Sequence, residues 1–169
     1  LRKFDNDEQA LQTALKDKVK ESLLDAQNVA TYTNTHKSIS FEGEKVWLFY
    51  VSGTELKGDE EFKQNIFCAV EESSHTLKVG DTKLYTIRPD IMFFVNGIYI
   101  GYMELKSSTK GQTAKTNGRM KVAKDYLATV KALTEQEKRD AKSMKHRKEV
   151  MAIFEKAIHL TASDCNDTY

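Results

Sequence analysis

At 169 residues, 40% hydrophobic and 30% charged, the chain can bury one hydrophobic core but is crowded for two, and its composition is that of a globular protein. Lys and Arg (26) nearly balance Asp and Glu (25), leaving a formal charge of +1. Total charge therefore announces no nucleic-acid partner, and any such signal must come from where the charge sits. No apolar run approaches the roughly 18 residues that would span a membrane, and no signal peptide is legible. Cys68 and Cys165 are far apart and form no CxxC pair, and His36, His75, His146 and His159 are scattered. A zinc site or disulfide framework is not expected, and a reduced, cytoplasmic protein is. The chain opens on Leu1 rather than Met and stops soon after Ala157-Ile158-His159-Leu160, so we expect a single domain cut from a longer polypeptide.

Residues 7 to 27 read as an amphipathic helix, with Leu11, Leu15, Val19 and Leu23 recurring every four residues. Thr31 to Ser40 reads as a loop and Lys45 to Ser52 as a strand, rich in aromatic and β-branched residues. Gly53 to Gln64 is turn-like, Ile66 to Val70 is a second strand candidate, and Val79-Gly80-Asp81 suggests a hairpin. Ile87 to Val95 and Ile98 to Lys106 flank Asn96-Gly97, the strongest local hairpin signal in the chain. Both runs are apolar at nearly every position, as in the centre of an α/β sheet. A polar loop follows Lys106. One helix is predicted from Arg119 to about Leu133. Another is predicted from Thr134 or Glu135 to about Ile158, with Thr134 and Glu137 forming a capping box.

Three ionisable groups enter the central hairpin. Asp90, directly after the chain's one proline, lies in an apolar run where an unpaired carboxylate would cost several kcal/mol. Glu104 and Lys106 lie two residues apart on the facing run, and strand alternation puts them on one face. Two carboxylates suit Mg²⁺, which keeps several waters for nucleophile and substrate. A bound metal acidifies such a water and stabilises charge on phosphorus oxygens, and a lysine can orient the water. The alternative is an interior salt bridge of Lys106 with Glu104 or Asp90, although buried ion pairs stabilise poorly compared with apolar replacements.

Hairpin register separates the two readings. In a strict two-residue turn Val95 faces Ile98, Asp90 faces Met103, and the carboxylates fall on opposite faces. An odd-length loop or a bulge shifts the pairing by one and puts Asp90 and Glu104 on the same face.

Pro89-Asp90 followed by Glu104-Leu105-Lys106 resembles the PD-(D/E)xK nuclease signature. The wider stretch from Arg88 through Val95-Asn96-Gly97-Ile98 to Met103-Glu104-Leu105-Lys106 resembles the nuclease domain of the motor (R) subunit of type I restriction enzymes, and Asn65-Ile66-Phe67 is similar to that family's preceding strand. The resemblance spans about residues 62 to 106. It implies an α/β fold with a restriction-endonuclease-like core: a central mixed β-sheet, a hairpin carrying the catalytic residues, and flanking helices. It implies Asp90, Glu104 and Lys106 as catalytic, and Asp90, Glu104 and the Leu105 carbonyl as ligands of Mg²⁺ or Mn²⁺. The implied partners are double-stranded DNA and the methyltransferase and specificity subunits of a bacterial or archaeal restriction complex. ATP would act only through a motor outside this chain. Two departures stand out. The family's Gln-x-x-x-Tyr motif would use Tyr126, but Val122 occupies the glutamine position. The family's early-helix acid has two candidates, Glu8 and Glu21.

Lys106, Lys110, Lys115, Arg119, Lys121 and Lys124 form a basic stretch with no acid among them. Lys110, Lys115, Arg119 and Lys121, with Tyr126, are the candidate DNA contacts; basic residues give affinity that is salt-dependent and indifferent to sequence. A solvated surface is the alternative. The later run Lys138, Arg139, Lys142, Lys145, Arg147 and Lys148 reads as a solvated helix face. Gly111-Gln112-Thr113-Ala114-Lys115-Thr116 is not a phosphate loop, because Ala114 stands where glycine must precede the lysine. Besides the nuclease reading, the sequence allows a non-catalytic module that docks a motor or grips DNA, or a repair nuclease or junction resolvase with the same cluster.

Overall fold

The structure is a computed structural model that describes residues 7–25, 38–50, 62–140, 147–166 and 168. The chain divides into two compact units, residues 1–66 and 67–169.

In the first unit, α1 (Glu8–Asp25) forms where the four-residue apolar repeat predicts it. The Asp7 carboxylate caps it by accepting the Ala10 N–H at 2.9 Å. Leu11, Leu15, Val19 and Leu23 are its half-buried stripe. Strands β1 (Ser38–Phe41) and β2 (Glu44–Trp47) pair antiparallel around Glu42-Gly43, both at positive φ (51° and 83°). The loop expected from Thr31 to Ser40 is thus corrected at its end. Ser38 to Phe41 alternates polar and apolar residues, and Ile39 and Phe41 are buried. The strand expected over 45–52 stops at Trp47. Residues 26–27, 31–37 and 51–61, where other expectations fall, lie outside the described residues.

The second unit contains β3 (Phe67–Glu71), β4 (His75–Val79), β5 (Thr82–Ile87), β6 (Ile91–Val95), β7 (Ile98–Leu105), α2 (Arg119–Arg139), α3 (Arg147–Glu155) and β8 (His159–Ser163). A four-stranded sheet has the order β3-β6-β7-β8, and β4 and β5 form a separate two-stranded ribbon. β6 pairs antiparallel with both β3 and β7, whereas β8 is parallel to β7, so the sheet is mixed. A parallel neighbour requires a crossover, and here α2 and α3 lie on it. The core joins the ribbon (Leu77, Val79, Ile87), the sheet (Met92, Tyr102), α2 (Leu133) and α3 (Val150, Met151, Ile153, Phe154). The class is mixed α/β, with helices packed beside a mixed sheet.

Three expectations change. The run Ile87 to Val95 is not one strand: β5 ends at Ile87 and β6 begins at Ile91, in different sheets. Pro89, which has no N–H to give to a ladder, sits buried in the break. Thr134 starts no helix. α2 runs through it to Arg139, and the Thr134 hydroxyl donates to the Val130 carbonyl at 2.9 Å. No glycine or proline interrupts Arg119 to Arg139, so helical propensity carries across the supposed cap. Finally, the second helix ends at Glu155, and the residues from His159 to Ser163 form β8, paired from Gly101 to Leu105.

Candidate active site

The β6–β7 hairpin turns through Asn96 and Gly97, both at positive φ (51° and 78°), with Val95 facing Ile98. That is the strict two-residue turn, which by itself would separate the carboxylates. The register then shifts between Phe93 and Phe94, and Ile100 becomes the extra residue of a bulge. Ile91 therefore faces Met103, and continuing the register by one residue puts Asp90 opposite Glu104. The bulge lies beside β8. The Ile100 carbonyl accepts the Ile158 N–H at 2.7 Å. Gly101 lets the two backbones close up, since a Cβ there would stand 2.0 Å from the His159 carbonyl oxygen.

Asp90 is pinned on both sides. Its carbonyl accepts the Glu72 N–H at 2.9 Å, and its Oδ2 accepts the Leu105 N–H at 2.6 Å. The carboxylate thus rests against the peptide that joins Glu104 to Leu105. The Glu104 side chain is only 3% exposed, yet both oxygens meet ammonium groups. Lys106 Nζ lies 3.1 Å from Oε2 and also donates to the Leu105 carbonyl at 3.0 Å. Lys121 Nζ lies 3.1 Å from Oε1. The interior salt bridge that the sequence allowed is therefore present, with a second lysine added.

Lys121 also binds Asp125 Oδ2 at 2.8 Å, one turn further along α2, and Asp125 Oδ1 accepts the Tyr85 hydroxyl of β5 at 2.9 Å. Burial disfavours the Lys121 ammonium, but its hydrogen bonds to Asp125 and Glu104 outweigh that and hold its pKa above the usual lysine value. Burial and the bond to Asp125 push the Tyr85 hydroxyl up. Tyr102, on the same face of β7 as Glu104, has a buried hydroxyl with no hydrogen-bond partner among the described residues, and burial raises its pKa strongly. Asp125 and Tyr85 were missed in the sequence. The Lys121/Asp125 spacing of four, in the helix after Glu104-Leu105-Lys106, was the available signal.

The segment between β7 and α2 is folded rather than a plain polar loop. A short 3₁₀ turn (Ser108–Lys110) leads to a π-helical turn (Ala114–Gly118) that runs directly into α2. The Thr113 hydroxyl accepts the Thr116 N–H, and Asp164 accepts the Ala114 N–H at 2.7 Å. Gly118 lets this turn lie against β8 and the stem of Lys106, because a Cβ there would stand 2.3 Å from that of Ala162.

Of the other candidates, Lys110, Lys115 and Arg119 are exposed on these turns and the start of α2. Lys121 faces Glu104 and Asp125. Tyr126 stacks edge-on against Phe154 at 5.5 Å, and Val122 packs on the core. Glu8 and Glu21 lie on α1 in the first unit, bonded to Gln12 and Lys18.

For a divalent ion, the fit is that of a partial cage. Glu104 Oε2 and the Leu105 carbonyl already converge on one cation, the Lys106 ammonium, and the Asp90 carboxylate accepts the N–H of the same residue, Leu105. These are hard oxygen donors, which suit Mg²⁺. Among the described residues no three His, Cys, Asp or Glu side chains form a metal-binding group. Two carboxylates and a carbonyl would leave the remaining positions of a Mg²⁺ ion to water and substrate, as Mg²⁺ commonly accepts.

The fold is a mixed α/β domain whose hairpin gathers acidic and basic groups beside a helix. Residues 1–148 match the family model described as type I restriction enzyme R protein N terminus, and the chain belongs to that family. No curated protein and no solved structure matches it. Among the described residues, no helix is long and apolar enough to cross a membrane.

Proposed function

We propose that this chain is a Mg²⁺-dependent endonuclease domain with a restriction-endonuclease-like core, cutting double-stranded DNA within a type I restriction complex. One observation carries the reading: the bulge at Ile100 brings Asp90 opposite Glu104, with Lys106 on the same buried carboxylate. Family membership supports the nuclease role. Asp90, Glu104 and the Leu105 carbonyl would hold Mg²⁺, or Mn²⁺ in its place. Bound there, the metal supplies an acidified water and charge neutralisation at phosphorus.

The chain's own residues do the rest. The Leu105 N–H orients the Asp90 carboxylate. Lys106 offers three N–H donors to position an attacking water or to take up charge developing on the phosphoryl oxygens. Lys110, Lys115 and Arg119 would lie along the DNA backbone. The partners are DNA and the methyltransferase and specificity subunits, and ATP acts through a motor segment outside this chain.

A non-cutting module that docks the motor or grips DNA draws support from one fact: both Glu104 oxygens are already matched by lysines. Glu104→Ala in the full-length R polypeptide, assembled with its partners, separates the readings. The nuclease reading expects Mg²⁺-dependent cleavage to be abolished while ATP hydrolysis and translocation continue. Loss of all activities in a folded, assembled mutant would favour the docking module. Undiminished cleavage would place the active site elsewhere.

A further inference from the structure

We propose that Lys121 is a positioning residue for Glu104: anchored by Asp125, and through Asp125 by Tyr85, it fixes one oxygen of the buried carboxylate so that the other stays aimed at the catalytic cation. This role rests on the nuclease reading above.

The two lysines on Glu104 are held differently. Lys106 meets Oε2 and the Leu105 carbonyl, the two oxygens a metal would use, so its ammonium must yield them when a metal is bound. Lys121 meets Oε1 and is tied a second time to Asp125, with Nζ 3.1 Å and 2.8 Å from the two carboxylates. Asp125 is in turn fixed by the Tyr85 hydroxyl, which reaches it from the β4–β5 ribbon. The Asp125 side chain is only 6% exposed and that of Glu104 3%. Neither carboxylate has bulk water to solvate it, so with Lys106 displaced from Oε2 the ammonium that still holds Oε1 is that of Lys121.

A group that hydrogen-bonds a ligating carboxylate sets its orientation, and losing such a group typically lowers metal affinity or activity about 10- to 100-fold. A phosphate-binding lysine, the other role open to Lys121, would act on DNA affinity and its salt dependence instead.

The test uses the full-length R polypeptide in its assembled complex, with steady-state cleavage in Mg²⁺ and DNA binding measured without divalent metal. Lys121→Met is expected to lower kcat about 10- to 100-fold. The KM for DNA, the metal-free DNA affinity and its salt slope should stay unchanged. Lys121→Arg, which keeps the charge and donors, should recover most of the rate. Tyr85→Phe should lower kcat in the same direction by a smaller factor, and its effect should not add to that of Lys121→Met.

Weakened DNA binding with a flatter salt slope and an intact kcat would make Lys121 a phosphate ligand and overturn the proposal. Wild-type kcat in Lys121→Met would overturn it while leaving the nuclease reading standing. If Lys121→Met does not fold, Tyr85→Phe decides: an unchanged kcat overturns the proposal. A wild-type complex that cuts no better than Glu104→Ala would bring down the nuclease reading and this role with it.

Discussion

Glu104 illustrates how a buried charge is kept. An isolated carboxylate out of water costs several kcal/mol, and the two ammonium groups on it offset that cost without making the site a strong stabiliser. Tyr85 is the outer end of the same chain of contacts, and it gives the fold an alkaline signature. Burial and donation to Asp125 hold its pKa above the ordinary tyrosine value of about 10. A raised folded value means the protonated form is favoured in the native state. Its stabilisation is complete below that ordinary value and is lost as pH rises through the folded one. Thermal melts of the wild type should therefore lose stability above about pH 10 more steeply than those of Tyr85→Phe. Parallel curves would show that the Tyr85–Asp125 bond carries no such linkage. Asp90, Glu104 and Lys106 could be picked out in the sequence because polar residues in apolar runs stand out. Asp125 stood out less, because its one signal, the spacing of four from Lys121, equally describes a solvated helix pair until the opposing strand is known.

At the scale of the element, the hairpin was legible in its turn but not in its register. Asn96-Gly97 specifies a two-residue turn, and the structure has one. The bulge at Ile100 depends on a neighbour that arrives much later in the chain, since Ile158 takes the Ile100 carbonyl and His159 lies against Gly101. Local pattern cannot encode such a partner, and β8 itself begins just past the expected end of a helix, where no strand was read. Thr134 shows the opposite error, a strong local cap signal overridden by helix continuity. Its substitution tests the assignment. Removing a cap by Thr134→Ala would cost about 1 kcal/mol. In mid-helix the change should be neutral or stabilising by a few tenths of a kcal/mol, since alanine is the better helix former. Urea denaturation of the two proteins distinguishes the outcomes, and a destabilisation near 1 kcal/mol would contradict the continuous helix.

Across the molecule, a formal charge of +1 conceals a local asymmetry. Of the basic residues between Lys106 and Lys124, Lys106 and Lys121 face buried carboxylates, and Lys110, Lys115, Arg119 and Lys124 are exposed. Replacing Lys110, Lys115 and Arg119 together with Gln should weaken DNA binding alike for all sequences. It should also flatten the dependence of log K on log salt by roughly 0.9 for each phosphate that is no longer neutralised. An unchanged slope would move the DNA path elsewhere. The mixed sheet has a further consequence, in time rather than space. β7 is made early and must wait for two helices to be synthesised before β8 can close beside it. Pairing over such a sequence separation is slow. Until then the strand carrying Glu104 is an open edge and the bulge lacks its partner. A ribosome-bound chain released before Ser163 should therefore hold an unfinished hairpin with exposed strand edges, prone to associate with its own kind. Maturation of the candidate site is thus timed by the emergence of β8.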